Sequence, residues 1–230
     1  ATVVLHGLSL GWLSRRLGLA SPARDSVLIV GASPWSIELA RALDELGIQV
    51  IIADRSWHRL RIARQTGLKT FYGEILSEFA EESVEVGHVR TVLAATDNDA
   101  YNALVCSALA PEIGRGRVFQ LPMGPGADED PKAVAIAHRG RMAFGKSAEY
   151  ESLWRHLIEG WVFTKTPLTE AYTFERWRAD ARSETIPIML LKDGGQPRFL
   201  SGQTEPETLP GDVLVGFGPA RPLEDRPSAA

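Results

Sequence analysis

The sequence has 230 residues, 44% hydrophobic and 23% charged, a globular composition long enough for one sizeable domain and a smaller one. A net charge of -4 with no long basic run excludes nucleic acid as an expected partner. The single cysteine, Cys106, excludes an intramolecular disulfide and fits a reducing compartment, and the scattered His6, His58, His88, His138 and His156 lack metal-ligand spacing, so no metal is expected.

The first twenty residues, ATVVLHGLSLGWLSRRLGLA, are not arranged as a signal peptide, because Arg15 and Arg16 follow the apolar run instead of preceding it. Two readings stay open. One is an amphipathic helix packed on the domain; the other is the cytoplasmic end of a membrane helix, with the arginine pair at the inner interface. SPARDS, at 21–26, reads as a short linker.

A regular alternation comes next. Val27 to Val30 is a continuous apolar run, the mark of a buried parallel strand. Pro34 suits the first turn of a helix, Leu39, Leu43 and Leu46 recur at helical spacing, and Gly47 ends it. Ile48 to Ala53 is a second strand ending in Asp54, and Trp57 to Gln65 a second helix stopped by Gly67. Strands at 69–72, 91–95 and 117–121 then alternate with helices within 76–84 and at 98–110; Cys106 on the latter reads as a buried structural thiol. Such alternation predicts an α/β, Rossmann-like parallel sheet of order 3-2-1-4-5, with a crevice between strands 1 and 4 beyond their carboxyl ends. PMGPGADEDP, at 122–131, reads as a loop and domain boundary, 131–160 as helices with Leu153, Leu157 and Trp161 on one face, and the remainder as a small β-rich C-terminal lobe. Within that lobe IPIMLL, KDGG and PRFL predict a hairpin, followed by the strand VLVGF. The expected organisation is therefore 1–20 as lead-in, 21–125 as the nucleotide-binding domain, and 126–222 as helical segment plus β-rich lobe; the last ten residues, rich in Pro and Ala, are expected to be disordered.

The candidate site is set by the strand ends. Gly31 holds the first position of a dinucleotide fingerprint, while Ser33 and Ser36 replace its second and third glycines. The helix starting there is expected to offer free N–H groups to a phosphate, with the Ser33 hydroxyl as a further donor. Asp54 stands about 20 residues on, at the end of strand 2, where a carboxylate accepts from both ribose hydroxyls. Its alternative role is N-cap of the next helix. Arg55 beside it softens the exclusion of a ribose 2′-phosphate. Gly73 and Glu74 come after strand 3, where the carboxylate reaches for an adenine amino group. Thr96, Asp97 and Asn98 line the mouth of strand 4, with ordinary turn and capping chemistry as the competing explanation. No catalytic set is evident, so the expectation is binding without transformation.

GASPWSIELARALDELGIQVIIADRSWHRLRIARQTGLKTFYGEIL and VRTVLAATDNDAYNALVCSAL together resemble the N-terminal half of RCK domains, the regulators of potassium conductance also called TrkA-N domains. The leading TVVLHGLSLGWLSRRLGL resembles the end of the last membrane helix of NhaP-like monovalent cation/proton antiporters. The resemblance implies a cytosolic regulatory domain without catalysis, on the cytoplasmic face of the bacterial inner membrane and in the same polypeptide as the antiporter. It further implies a homodimer that binds NAD(H) or an adenine nucleotide, AMP, ADP or ATP. Some relatives that lost the glycines at the positions of Ser33 and Ser36 also lost nucleotide binding, so the resemblance leaves a site without a cofactor open as well. Two alternatives are a peripheral TrkA-like subunit of a potassium uptake system and a small NAD-dependent oxidoreductase.

Overall fold

The computed structural model describes residues 26–84, 88–124, 133–181, 184–192, 195–202 and 205–220. The expectations for the lead-in at 1–20, most of the linker, most of the loop at 122–131 and the last ten residues lie outside them. Six strands form a parallel sheet in the order β3-β2-β1-β4-β5-β6: β1 Ser26–Val30, β2 Val50–Asp54, β3 Lys69–Tyr72, β4 Val89–Ala94, β5 Val118–Gln120 and β6 Arg141–Met142. The expected order 3-2-1-4-5 is thus present, extended at one edge by β6, which pairs Phe119 with Arg141 and Gln120 with Met142.

The central strand β1 reads as an uninterrupted apolar run from Val27 to Val30 because both its faces are covered. Alternate residues Val27 and Ile29 of β1 join one core cluster, under helices α1 (Pro34–Asp44) and α2 (Trp57–Gln65). Leu28 and Val30 join the other, under α3 (Glu78–Ser83) and α4 (Asp99–Ile113). Cys106 lies in this second cluster, fully buried, its thiol 3.3 Å from the Phe119 carbonyl and its pKa pushed up to about 12 by burial.

A second, antiparallel sheet has the order β7-β10-β8-β9: β7 Trp161–Pro167, β8 Ile186–Leu191, β9 Pro197–Phe199 and β10 Val213–Pro219. One face of it, through Met189, Val215 and Phe217, shares the core cluster of α1. Helix α6 (Phe174–Asp180) covers the opposite face through Phe174 and Trp177, which pack with Leu190 and Leu214. The hinge of this docking is Trp35 in the first turn of α1. It is 2% exposed, and its ring lies 5.7 Å from Phe144, 5.9 Å from Phe163 and 6.2 Å from Phe217. An ion pair from Lys165 of β7 to Glu45 at the end of α1 ties the rim of the same contact.

Two expectations fail between 131 and 161. Residues 133–149 are not helical beyond a single 3-10 turn, Ile136–His138, because Gly140 N–H bonds to the buried Gln120 side chain and the chain beyond it adds to the sheet edge as β6. Trp161 does not share a helical face with Leu153 and Leu157. Helix α5 (Tyr150–Ile158) stops before Gly160, whose φ of 87° turns the chain so that Trp161 begins β7. No helix of the described residues is long and apolar enough to cross a membrane.

Candidate functional site

The carboxyl ends of β1, β2 and β4 open into a cavity of about 410 Å³, at the point where the strand order reverses. Its size falls within the usual range for small-molecule pockets, roughly 300–1,000 Å³. Gly31 forms the floor of one side. Its φ is 112°, and a Cβ there would stand 2.6 Å from the Ala95 carbonyl oxygen, so the β1–α1 turn and the end of β4 approach each other over a missing side chain. A second glycine, Gly73, lines the pocket with a φ of 146°.

Asp54 ends β2 and holds the turn together. Its Oδ2 accepts from the Ala32 N–H and its Oδ1 from the Ser56 N–H, both at 2.7 Å. The N-cap of α2 is Ser56, whose hydroxyl accepts from Arg59 N–H, so the alternative role for Asp54 as helix cap falls away. Asp54 instead bridges two loops. Asp54 lines the cavity, and these two bonds use about half of the acceptor capacity of an ionised carboxylate. Arg59 sits 3.9 Å from Oδ2, and Arg55 sits 3.8 Å from Glu74; both arginines line the mouth.

The β4 side is built from Thr96, Asp97, Asn98 and Tyr101. Asn102, fully buried, fixes that loop: its Oδ1 accepts from the Thr96 N–H (3.0 Å) and hydroxyl (2.7 Å), and its Nδ2 donates to the Thr96 carbonyl (3.0 Å). Asn98 caps α4 by accepting from the Tyr101 N–H. The capping explanation therefore accounts for the Asn98 side chain, while the loop as a whole still faces the cavity.

Three predicted residues stand elsewhere. Ser33 and Ser36 are buried and form a reciprocal capping box, Ser36 N–H to Ser33 Oγ and Ser33 N–H to Ser36 Oγ, with Ser36 Oγ also donating to the Gly31 carbonyl at 2.6 Å. These bonds correct the expectation of a free Ser33 hydroxyl and of free Ser33 and Ser36 N–H groups, and leave only the Trp35 N–H of the first turn untaken by them. Glu74 does not itself line the cavity; its Oε1 accepts from the hydroxyl of Tyr101, which does, at 2.5 Å. Burial first, and that hydrogen bond second, raise the Tyr101 pKa, so the phenol remains a donor.

Sequence reading missed Arg59, Tyr101 and Tyr150. The first two lie one turn into helices that leave strand ends, a position that helical spacing from Ser56 and Asn98 could have found. Tyr150 opens α5, packs on the core cluster of α1, and lies in the field of Arg59, Asp97 and Asp54, while burial raises its pKa. Among the described residues no group of three or more His, Cys, Asp or Glu could hold a metal ion.

A parallel sheet with a glycine turn after its first strand, an acidic residue ending its second and a polar loop at its fourth describes a nucleotide-type crevice. Residues 27–118 match the TrkA-N domain family model. The matched segment is the parallel sheet through the start of β5, together with its four helices. No curated protein matches the chain. Solved structures that align with it include the NAD(P)-binding domain of an exopolyphosphatase-related protein from Archaeoglobus fulgidus, at 19% identity, 50% of this chain, 90% of that chain and a TM-score of 0.40. The TrkA-N domain of inner membrane protein ybaL from Escherichia coli aligns at 13% identity, 42% of this chain, 70% of that chain and a TM-score of 0.37. The GsuK channel bound to NAD aligns at 15% identity, 90% of this chain and 40% of that chain, with a TM-score of 0.42, so this chain spans less than half of the channel's length. These are distant likenesses of chain course.

Proposed function

We propose that this chain is the cytosolic, nucleotide-sensing regulatory domain of a monovalent cation/proton antiporter carrying Na+ or K+, with no catalysis of its own. In this reading it pairs as a homodimer at the cytoplasmic face of the bacterial inner membrane. Residues 1–20 are the end of the last membrane helix, residues 21–125 the nucleotide-binding domain, and residues 126–222 the part that passes the signal on. The observation that carries the reading is the cavity at the strand-order reversal with Asp54 at its edge, within the segment that matches the TrkA-N domain. The apolar residues Val3, Val4, Leu5, Leu8, Leu10, Trp12 and Leu13, followed by Arg15 and Arg16, support the membrane connection. The ligand is NAD(H) or an adenine nucleotide, with Asp54 accepting from the ribose and Gly31, Gly73, Thr96 and Asp97 shaping the walls.

The coding sequence upstream of Ala1 is expected to specify a run of membrane helices. The encoded transporter, reconstituted in liposomes, is expected to change its cation/proton exchange rate when AMP, ADP, ATP or NADH is added on the domain's side. Asp54→Ala is expected to shift the nucleotide concentration giving half the effect about ten- to a hundredfold upward, as loss of a hydrogen bond to a charged group implies. Exchange indifferent to every nucleotide removes the sensing role. An upstream sequence without membrane helices moves the assignment to the peripheral potassium-uptake subunit.

A further inference from the structure

The first turn of α1 limits which part of a ligand the cavity can read, on the reading that an adenine nucleotide enters it. A pyrophosphate cradle at this place in the fold needs two things: no side chain at the second glycine position, so that phosphate can touch backbone, and several unpaired N–H groups at the helix end. Neither is present here. Ser33, 5% exposed, puts a side chain at that position and folds it inward as the cap of its own helix. The Ser33 and Ser36 N–H groups are each taken by the other's hydroxyl, at 2.8 and 3.1 Å. Pro34 has no N–H, and the Ala32 N–H is bonded to Asp54 at 2.7 Å, so the Trp35 N–H is the single donor of the turn that these bonds do not take. An anionic carboxylate thus already occupies the donor nearest the turn, where a phosphate would meet like charge.

The other walls of the cavity are intact. Val30, Ala53 and Ile75 give apolar surface, the Tyr101 ring adds an aromatic edge, and Asp54 keeps acceptor capacity for a diol. The cations at the mouth, Arg55 and Arg59, have side chains 74% and 47% exposed and, among the described residues, only long ion pairs of 3.8 and 3.9 Å. Exposed arginines attract a phosphate weakly and lose that attraction as salt rises.

We propose that the cavity recognises its ligand through the adenine nucleoside, with a 5′-phosphate met by Arg55 and Arg59 and not by the helix end. A second phosphate or a second nucleotide then adds little. The site takes adenosine or its monophosphate on nearly equal terms with dinucleotides.

Isothermal titration of the chain with adenosine, AMP, ADP and NAD, at about 0.05 M and about 0.5 M salt, tests this. At high salt the dissociation constants of adenosine and NAD are expected to lie within about tenfold of each other, a difference of about 1.4 kcal/mol or less. At low salt AMP is expected to gain over adenosine severalfold, and the double variant Arg55→Gln, Arg59→Gln to abolish that gain. ADP or NAD binding a hundredfold tighter than adenosine at high salt overturns the proposal and leaves the nucleotide reading standing. A gain for AMP that survives in the double variant overturns the role of the arginines. If none of the four ligands binds, the nucleotide reading falls and this inference falls with it.

Discussion

Gly31→Ala is expected to destabilise the chain by about 2–6 kcal/mol, the sum of roughly 1–3 kcal/mol of backbone strain and about 1–3 kcal/mol of overpacking. The strain arises because Gly31 has a φ of 112°, where an L side chain is held against its preference. The overpacking arises because the new Cβ would stand 2.6 Å from the Ala95 carbonyl oxygen and 3.0 Å from Thr96 Cγ2, both on the strand-end loop that forms the opposite wall. Urea unfolding followed by circular dichroism is expected to show a lower midpoint at unchanged slope. Gly47→Ala is the control. Its φ of 76° gives strain, but a Cβ there meets nothing within 4 Å, so only the strain component of about 1–3 kcal/mol is expected. Equal losses for the two variants would mean that the close approach of β1 to β4 contributes nothing.

Trp35→Ala carries the second large effect, about 3–5 kcal/mol for a buried aromatic truncated in a packed core. Trp35 belongs to the helix that leaves the glycine turn, yet its ring packs on Phe144, Phe163 and Phe217 beyond the parallel sheet. Its loss is therefore expected to fall on the contact between the two sheets. Amide hydrogen exchange is expected to quicken along Trp161–Pro167 and Val213–Pro219 more than along Ser26–Val30. Trp35→Phe is expected to lose only about 1–2 kcal/mol. The indole Nε1 is buried without a hydrogen-bond partner, so removing it leaves no bond broken. Uniform quickening of exchange over both sheets in Trp35→Ala would show that they unfold as one unit and not through this contact.

The parallel sheet was legible because its signals are local. Apolar runs such as Val27 to Val30 are bounded by residues that stop or cap helices, and the observed α2 and β3 coincide with the expected 57–65 and 69–72. Helix α4 outruns its expected end at 110, passing through Pro111 to Ile113 before Gly114 turns it. Between 133 and 149 the chain offers a short run of Ala and Val that fits helix or strand alike, and a distant partner decides the matter, since Arg141 and Met142 pair with β5. Helix α6 escaped notice because Phe174 and Trp177 are three apart in a segment too short to display a period.

The site divides in the same way. Spacing from the end of one strand to the end of the next located Gly31, Asp54, Gly73 and the Thr96–Asn98 loop at the mouth. The direction of side chains was not legible. Ser33 and Ser36 read as lost glycines, and their other meaning, a reciprocal cap, was hidden because the usual sign of such a cap is Glu or Gln at the third helical position. Glu74 likewise has the right place on the chain, but its carboxylate is held by Tyr101 of α4 and does not line the cavity. Tyr150 could not be found from spacing at all, since its packing on the core cluster of α1 depends on how α5 docks there.

That Asp54 holds a ribose in this cavity is tested most directly by titration calorimetry of AMP into the chain and into its Asp54→Ala variant. A hydrogen bond to a charged group contributes about 1.5–3 kcal/mol, so saturable binding by the wild-type chain, weakened about ten- to a hundredfold in the variant, is the expected result. Because Asp54 also accepts from the Ala32 and Ser56 N–H groups, circular dichroism must first show that the variant is folded at the temperature used. Unchanged affinity in a folded variant would remove the ribose contact, and no heat from the wild-type chain at millimolar AMP would remove the site.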